Sequence, residues 1–204
     1  MPTAQYENPL IVQSDLTVLV EVDSPAYVEG RDALARFAEL VKSPEHVHTY
    51  RITPLSIWNA RAVGVTTEWI RDKLRGLSKY DVPRHVEIEI ADYAGRYGKL
   101  KLTRDHRGLL LGISEAALAE ELARHRTVAS LLARRIGPGE FLVDPAERGR
   151  LKQALIKVGY PVEDLAGYVE GERLDMTLRT ETRGGLPFRL RGYQREAAET
   201  FYAA

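Results

Sequence analysis

Hydrophobic residues near the start of the chain follow two different spacings. Aliphatic and β-branched residues form two short runs around a polar turn, which predicts a β-hairpin over residues 9–22. Apolar residues then recur every three or four positions, and we expect a helix over residues 25–41. A strand-like segment at 48–53 precedes two predicted helices, which begin at Pro54 and just after Thr66. The pattern therefore predicts a hairpin packed with helices.

The next segment fits both a strand and a helix. Residues 86–90 alternate between apolar and charged as in a strand, whereas Val86, Ile90 and Tyr93 are spaced as on one face of a helix. We favour the helix, but periodicity alone leaves both alternatives open. A glycine-containing break follows and predicts a domain boundary near residue 96.

A second unit is expected after this boundary. Two strands and a helix precede a short strand at 140–143, and the Asp144-Pro145 pair marks the start of a further helix. The element order is thus β-β-α-β-α, with one more strand left open before residue 137. The fold class is predicted to be α+β, built from two small units and a connector that leads into a further lobe, with the boundaries 1–95, 96–172 and 173–204.

The composition is that of a folded protein. The 204 residues are 44% hydrophobic and 28% charged, with 29 basic and 29 acidic side chains and no cysteine. Without cysteine, neither a disulfide framework nor a thiolate metal site can form. Zero net charge argues against a protein that coats nucleic acid. Because no apolar run is long enough to span a bilayer and no signal-peptide pattern is present, we expect a cytoplasmic location and no membrane partner.

Charge is unevenly distributed along the chain. Residues 1–40 carry seven carboxylates against two arginines. Two later segments are basic and could neutralise phosphates without reading bases. They provide our candidate DNA contacts: Lys99, Lys101, Arg104, Arg107, Arg134 and Arg135. The simpler alternative for each cluster is a solvated charged surface.

The stretch LRGYQ at 190–194 provides the candidate nucleotide contact. The Gln194 amide offers one acceptor and two donors in a plane, which matches the N6/N7 edge of adenine. The Arg191 guanidinium could stack on a nucleotide or fork around it. Tyr193 and Phe201 lie on one face of the helix predicted to begin here. The simpler alternative is a surface turn that enters an amphipathic helix.

Sequence signatures of catalysis are missing. The Gly98-Lys99 pair lacks both the upstream glycine and the following hydroxyl residue of a phosphate loop. His46 and His48 could share a metal ion, but no third ligand with suitable spacing follows, and exposed strand histidines are the simpler interpretation. These 204 residues alone are therefore not predicted to be an enzyme, and no catalytic or metal-binding residue is assigned.

Several blocks of sequence are distinctive when taken together: NPLIVQSD at 8–15, HVHTYRITPLSIWNA at 46–60, LSK at 77–79 with VP at 82–83, YGKLKL at 97–102, and the segment 155–168. With the final LRGYQ, they resemble the N-terminal region of the XPB family of superfamily 2 DNA helicases in its bacterial form. The family has proline where this chain has Gly192, which loosens the local backbone but keeps Arg191 and Gln194. The resemblance covers nearly the whole chain.

The resemblance implies a role for each part of the chain. Residues 96–172 would correspond to a damage-recognition-like domain that engages and distorts duplex DNA. Residues 1–95 would correspond to an extension that docks onto a related domain in a partner, and 173–204 would lead into the first helicase lobe. Arg191 and Gln194 would match the adenine-contacting motif of the family.

The resemblance also implies a parent protein. This would be a helicase or translocase that moves 3′ to 5′ in nucleotide excision repair and uses ATP and magnesium. Its ATPase motifs are expected beyond residue 204, so we expect no cofactor in this chain.

Two functions from different classes follow. The first is an accessory region that engages duplex or forked DNA beside the helicase lobes of the parent. The second is a protein-docking or dimerisation module without DNA affinity, whose partner would be a repair nuclease, a related domain or a second copy. The two functions could coexist.

Overall fold

The computed structural model describes residues 7–167 and 179–203, with side chains described as far as Phe201. The chain divides into two compact units, Met1–Gly167 and Tyr168–Ala204. The first unit contains two small sheets with helices, each sheet having its own hydrophobic core, and this confirms the predicted α+β class. The boundary near residue 96 stays a prediction, because it lies between the two sheets but inside the first compact unit.

The first sheet is antiparallel, with strand order β1-β2-β4-β3. Its strands and the neighbouring helices are β1 (Leu10–Val12), β2 (Thr17–Glu21), α1 (Tyr27–Leu34), β3 (Glu39–Lys42), β4 (Val47–Arg51), α2 (Pro54–Ala62), α3 (Thr67–Leu77) and α4 (Arg84–Arg96). β1 and β2 form the predicted hairpin. α4 settles the open alternative in favour of a helix, because Val86, Ile90 and Ala94 fall on its buried face.

Side chains determine where α2 and α3 begin. The Thr53 hydroxyl accepts a hydrogen bond from the Ser56 amide at 3.0 Å, and the Ser56 hydroxyl accepts one from the Thr53 amide at 2.9 Å. This reciprocal capping box satisfies amides that have no partner within the helix. Thr66 caps α3 as predicted, since its hydroxyl accepts from the Trp69 amide at 3.2 Å.

The predicted helix over 25–41 is wrong in its second half. α1 ends at Leu34, and β3 follows in an antiparallel pair with β4. Phe37 is only 1% exposed, so the apolar spacing did identify a core position. Leu40 and Val41, by contrast, are each 53% exposed on β3. Hydrogen bonding to the edge of β4 outweighs the weak intrinsic preference of so short a segment for a helix.

The second sheet has strand order β7-β8-β6-β5-β9. Its elements are β5 (Leu100–Asp105), β6 (Gly108–Ile113), α5 (Ala116–Arg124), α6 (Arg126–Ala129), β7 (Leu132–Gly137), β8 (Glu140–Val143), a 3-10 turn (Pro145–Glu147), α7 (Arg148–Val158) and β9 (Val162–Asp164). The strand left open before residue 137 is β7. β9 was not predicted, and it is parallel to β5 whereas the other pairs are antiparallel.

Helices α5, α6 and α7 pack on one face of the second sheet. Their buried residues share one cluster with residues of β5, β6 and β8: Leu100, Leu102, Leu109, Leu111, Ile113, Leu118, Ala119, Leu122, Val128, Phe141, Val143, Leu151, Ala154 and Leu155. Every second residue of each strand points into this cluster, so the residues between them point to the opposite side. This alternation decides which basic side chains share a surface.

The compact unit Tyr168–Ala204 contains one helix among its described residues, α8 (Gly192–Ala203). Residues 168–178, which take in the end of the predicted 96–172 unit and the start of the predicted connector, lie outside the described residues. In the part of the chain that is described, no helix is long and apolar enough to cross a membrane.

Candidate nucleic-acid interface

Strand register places Lys101 and Arg134 on the same side of the second sheet. Leu142 of β8 pairs with Arg134 on one side and with Leu110 on the other, and Leu110 pairs with Thr103 of β5. Lys101 lies two residues before Thr103 and therefore points the same way. We call this surface the outer sheet face and define it by Lys101, Thr103, Leu110, Arg134, Glu140 and Leu142.

Arg135 belongs to the opposite, helix-covered face. Its guanidinium lies 5.5 Å from the ring centroid of Phe141 and forms an ion pair with Glu120 of α5 at 2.5 Å. It also donates to the Gly137 carbonyl at 3.1 Å. These contacts hold β7 against α5, so the adjacent Arg134 and Arg135 do not act on one surface.

Arg104 also does not lie on the outer sheet face. It lies opposite Leu109, a core residue, at the end of β5 where the helix-covered side reaches the hairpin tip. Arg104 and Arg134 are both exposed, and neither forms an ion pair within the described part of the chain. They are therefore the two candidate contacts whose charge is available to a phosphate.

The remaining candidates are already paired with carboxylates. Lys99 lies 3.0 Å from Glu115, Lys101 lies 3.6 Å from Glu163, and Arg107 lies 2.8 Å from Asp105 and 3.8 Å from Glu140. All these pairs are partly exposed, so each contributes little to stability. Their effect on function is larger, because they neutralise much of the positive charge that the sequence suggested.

The turn between β5 and β6 is organised by Asp105. Its carboxylate accepts from the Arg107 side chain at 2.9 Å and from the Arg107 amide at 2.7 Å. The side-chain hydrogen bond and then the backbone bond hold the pKa of Asp105 below its usual value, and the same pairing raises the pKa of Arg107. Arg107 is therefore charged but committed to its own hairpin.

The Gln194 side chain has a hydrogen-bond partner within the Tyr168–Ala204 unit. Its side-chain oxygen accepts from the Arg191 amide at 3.0 Å. Gln194 is the third residue of α8, so this bond resembles one half of a capping box. Tyr193 and Phe201 are 64% and 80% exposed. The local geometry is that of a capped helix start on the surface, and the nucleotide contact stays a prediction.

The two candidate metal-binding histidines have other neighbours. His46 Nδ1 lies 3.3 Å from the Asp23 carboxylate, and His48 Nδ1 lies 3.0 Å from the Tyr27 hydroxyl. Across residues 7–167 and 179–203, no group of three or more His, Cys, Asp or Glu side chains is placed to hold a metal ion.

The sequence did not reveal the ion-pair cluster around Asp164, which attaches β9 to α7. Arg148 donates to both carboxylate oxygens, at 2.7 and 3.0 Å, and Lys152 donates at 3.0 Å. Burial opposes ionisation of Asp164, but the hydrogen bonds from Arg148 and Lys152 outweigh it and lower the pKa to about 2. Asp164 thereby keeps β9, and with it Glu163, beside Lys101. Only the parallel pairing of β9 could have indicated this cluster, and no local pattern predicts that pairing.

Comparison with known proteins identifies the family. Residues 10–137 match the family profile described as helicase conserved C-terminal domain. The chain is 48% identical over 198 residues to a DNA 3′-5′ helicase XPB of Mycobacterium tuberculosis, and the aligned region covers 97% of this chain and 35% of that relative. It is also 48% identical over 197 residues to a DNA 3′-5′ helicase XPB of Kineococcus radiotolerans, and that aligned region covers 96% of this chain and 34% of the relative.

A more distant relative comes from Enterocytozoon bieneusi. It is a general transcription and DNA repair factor IIH helicase/translocase subunit XPB, 27% identical over 168 residues, which covers 82% of this chain and 27% of that relative. The profile match over more than half of the chain defines a helicase-family protein. Together with the bacterial identities, this match shows that the chain belongs to the XPB family of DNA helicases, which confirms the resemblance seen in the sequence. The chain spans about a third of the length of these bacterial relatives.

Proposed function

We propose that the chain is a DNA-engaging accessory region of an ATP-dependent 3′-5′ DNA helicase or translocase in nucleotide excision repair. The names of the relatives support the helicase activity and the repair context. The observation that carries the DNA contact is the pair of exposed arginines, Arg104 and Arg134, which have no carboxylate partner in the described part of the chain. Arg134 lies on the outer sheet face and Arg104 on the helix-covered side at the hairpin tip, whereas the other basic candidates of this sheet are held in ion pairs.

This arrangement favours contact with the DNA backbone rather than with bases. Guanidinium groups bind phosphates through charge and forked hydrogen bonds, and such contacts position a protein without reading sequence. Because most neighbouring cations are neutralised within the fold, the affinity of the chain alone should be low and sensitive to salt. ATP and magnesium would be bound by the helicase lobes, with Arg191 and Gln194 contacting adenine.

Fluorescence anisotropy tests the DNA contact. Labelled duplex and forked DNA should bind at about 50 mM salt and bind much more weakly at about 200 mM. Replacing both Arg104 and Arg134 with glutamate should abolish binding, because the two cations without an ion pair in the described residues become carboxylates that repel phosphate. Arg126→Glu is the matched control, since Arg126 is an exposed arginine of α6 that has no ion pair in the described residues and is not one of the candidate DNA contacts. The DNA contact is disproved if no binding occurs at low salt, or if the double variant binds as tightly as the control.

A second candidate function, protein docking, is supported by β3. Leu10, Val18 and Val20, apolar residues of the β1–β2 hairpin, are buried and cannot form a docking surface. Leu40 and Val41 are exposed instead on a strand at the edge of the sheet. Exposed edge strands are common sites for pairing with another chain.

Light scattering tests this second candidate function. A dimer that is lost in the Leu40→Lys variant, with no affinity for DNA, would favour docking. A strictly monomeric chain that binds DNA would favour the first function.

A further inference from the structure

The residues between α4 and β5 join two hydrophobic cores that do not merge. Every buried residue of the first core cluster precedes Tyr97, and every buried residue of the second follows Lys99. We call residues 7–96 the first half and residues 100–167 the second half of the compact unit. Because the two cores share no buried cluster, the arrangement of the halves depends on contacts at their junction.

Gly98 lies between two residues whose backbones are fixed to different halves. The Tyr97 amide donates to the Ala94 carbonyl at 3.3 Å, and the Lys99 carbonyl accepts from the Ser114 amide at 2.9 Å. Gly98 has a φ of +84°, and a Cβ atom at this position would meet nothing within 4 Å. A glycine in open space can change its dihedral angles without disturbing either core. This position therefore has the properties of a hinge.

Arg96, the last residue of α4, reaches the second half at the carboxyl end of α7. Its guanidinium donates to the Gly159 carbonyl at 3.4 Å and lies 5.6 Å from the ring centroid of Tyr160. The approach requires glycine, because a Cβ atom at Gly159 would lie 2.8 Å from Arg96 Nη1. A cation is favoured at the carboxyl end of a helix and over an aromatic ring. Arg96 thus joins the two halves while it stays paired with Asp92 of α4 at 2.7 Å.

Beside Arg96, the two halves leave an apolar cleft of about 360 Å³. α2 contributes Leu55 and Trp58 to its lining, and α7 contributes Ile156. Leu55 and Ile156 are 45% and 40% exposed, so apolar surface from both halves borders the same space without being buried. Burial of this surface would favour a closer arrangement of the halves, and the cleft leaves room for such a movement.

We propose that the two halves rotate about Gly98 and that Arg96 is the latch that holds them in the arrangement seen here. The proposal concerns conformation, so it does not depend on whether the second sheet binds DNA. Loss of the latch releases a second population of orientations and leaves both cores folded, because the latch contacts lie outside them. The outer sheet face can then change its orientation relative to the first sheet.

The distance between two spin labels measures the arrangement of the halves. The whole chain contains no cysteine, so Glu68→Cys on α3 and Glu121→Cys on α5 place one label at an exposed site in each half. Double electron–electron resonance should give one narrow main distance in this background. Adding Arg96→Gln should raise the fraction of molecules outside that distance at least about fivefold, because the carbonyl and ring contacts are lost.

Two control variants show whether Arg96 acts across the junction. Arg84→Gln changes an exposed arginine at the other end of α4, one without an ion pair in the described residues, and should leave the distance distribution unchanged. Asp92→Asn should also leave it unchanged, since this variant removes the pair within α4 and keeps both contacts to the second half. Broadening by Asp92→Asn as large as that by Arg96→Gln would overturn the latch, because Arg96 would then act on α4 alone.

Two further results would overturn the proposal. One is a distribution that stays equally narrow in Arg96→Gln, and the other is a distribution that is already equally broad before Arg96 is changed. Thermal denaturation followed by circular dichroism separates rotation from unfolding. Arg96→Gln should keep the thermal midpoint within about 4 °C of the Arg84→Gln control, and a larger fall would assign the broadening to loss of structure in one half.

Discussion

The number of unpaired cations on the second sheet sets a measurable salt dependence. Each phosphate that a protein neutralises releases counterions, and the slope of log K against log salt changes by about −0.9 per contact on duplex DNA. If Arg104 and Arg134 alone make contact, the slope should be about −1.8. If all six basic candidates contact phosphates, it should be about −5.4. The ion pairs of Lys99, Lys101 and Arg107 therefore predict the smaller value.

Anisotropy titrations of duplex DNA at several salt concentrations provide the slope. The double replacement Arg104→Gln and Arg134→Gln should bring the slope close to zero. Lys99→Gln and Lys101→Gln should leave it nearly unchanged, because these lysines are neutralised by Glu115 and Glu163. A wild-type slope near −5, or a double variant that keeps the wild-type slope, would refute the view that internal ion pairs limit the DNA contact.

Three further predictions concern single residues. Asp164→Asn should lower the free energy of unfolding by about 2 kcal/mol at neutral pH, because the pKa of Asp164 falls from 3.8 to about 2 on folding. A carboxylate whose pKa is lower in the folded than in the unfolded chain stabilises the fold at pH values above its unfolded pKa. This stabilisation is lost as the pH falls towards 2, so urea titrations should show the free energies of unfolding of variant and wild type converging there. An equal difference at both pH values would contradict this assignment. Gly159→Ala should cost about 1–2 kcal/mol because its φ is +91°, whereas Gly95→Ala within α4 should be neutral or stabilising in the same titrations. Gln194→Glu keeps an oxygen that can accept a hydrogen bond from the Arg191 amide, so in the longer helicase that we propose, α8 should be retained, as measured by circular dichroism. The variant loses the two amide donors, so it should bind ATP about tenfold more weakly. Unchanged ATP affinity would assign Gln194 to helix capping alone.

Local patterns predicted most of the elements that depend on neighbours in sequence. The β1–β2 hairpin, the capped start of α3 at Thr66 and the Asp144-capped turn that leads into α7 were all predicted from adjacent residues. Gly159 lies in the left-handed region at the end of α7, where glycine is favoured for lack of a Cβ atom. In such cases the stabilising hydrogen bonds close within a few residues, so the chain need not be folded for them to be predictable.

The candidate site was less predictable because its electrostatics depend on distant partners. The sequence placed Arg134 and Arg135 together, but pairing with β8 turns them to opposite faces. It also presented Lys101 as an available cation, whereas β9 brings Glu163 to within 3.6 Å of it. Charge density along a chain therefore overestimates charge density on a folded surface.

The amino-acid sequence by itself determined the α+β class, the family and the positions of most helices, because these depend on periodicity and on motifs read along the chain. Only the tertiary structure decided that residues 39–42 form a strand, that β9 completes the second sheet, and that the buried Ser78 hydroxyl has no hydrogen-bond partner among the described residues. The physical reason is that strand pairing and burial join residues far apart in sequence, and their energies outweigh local preference.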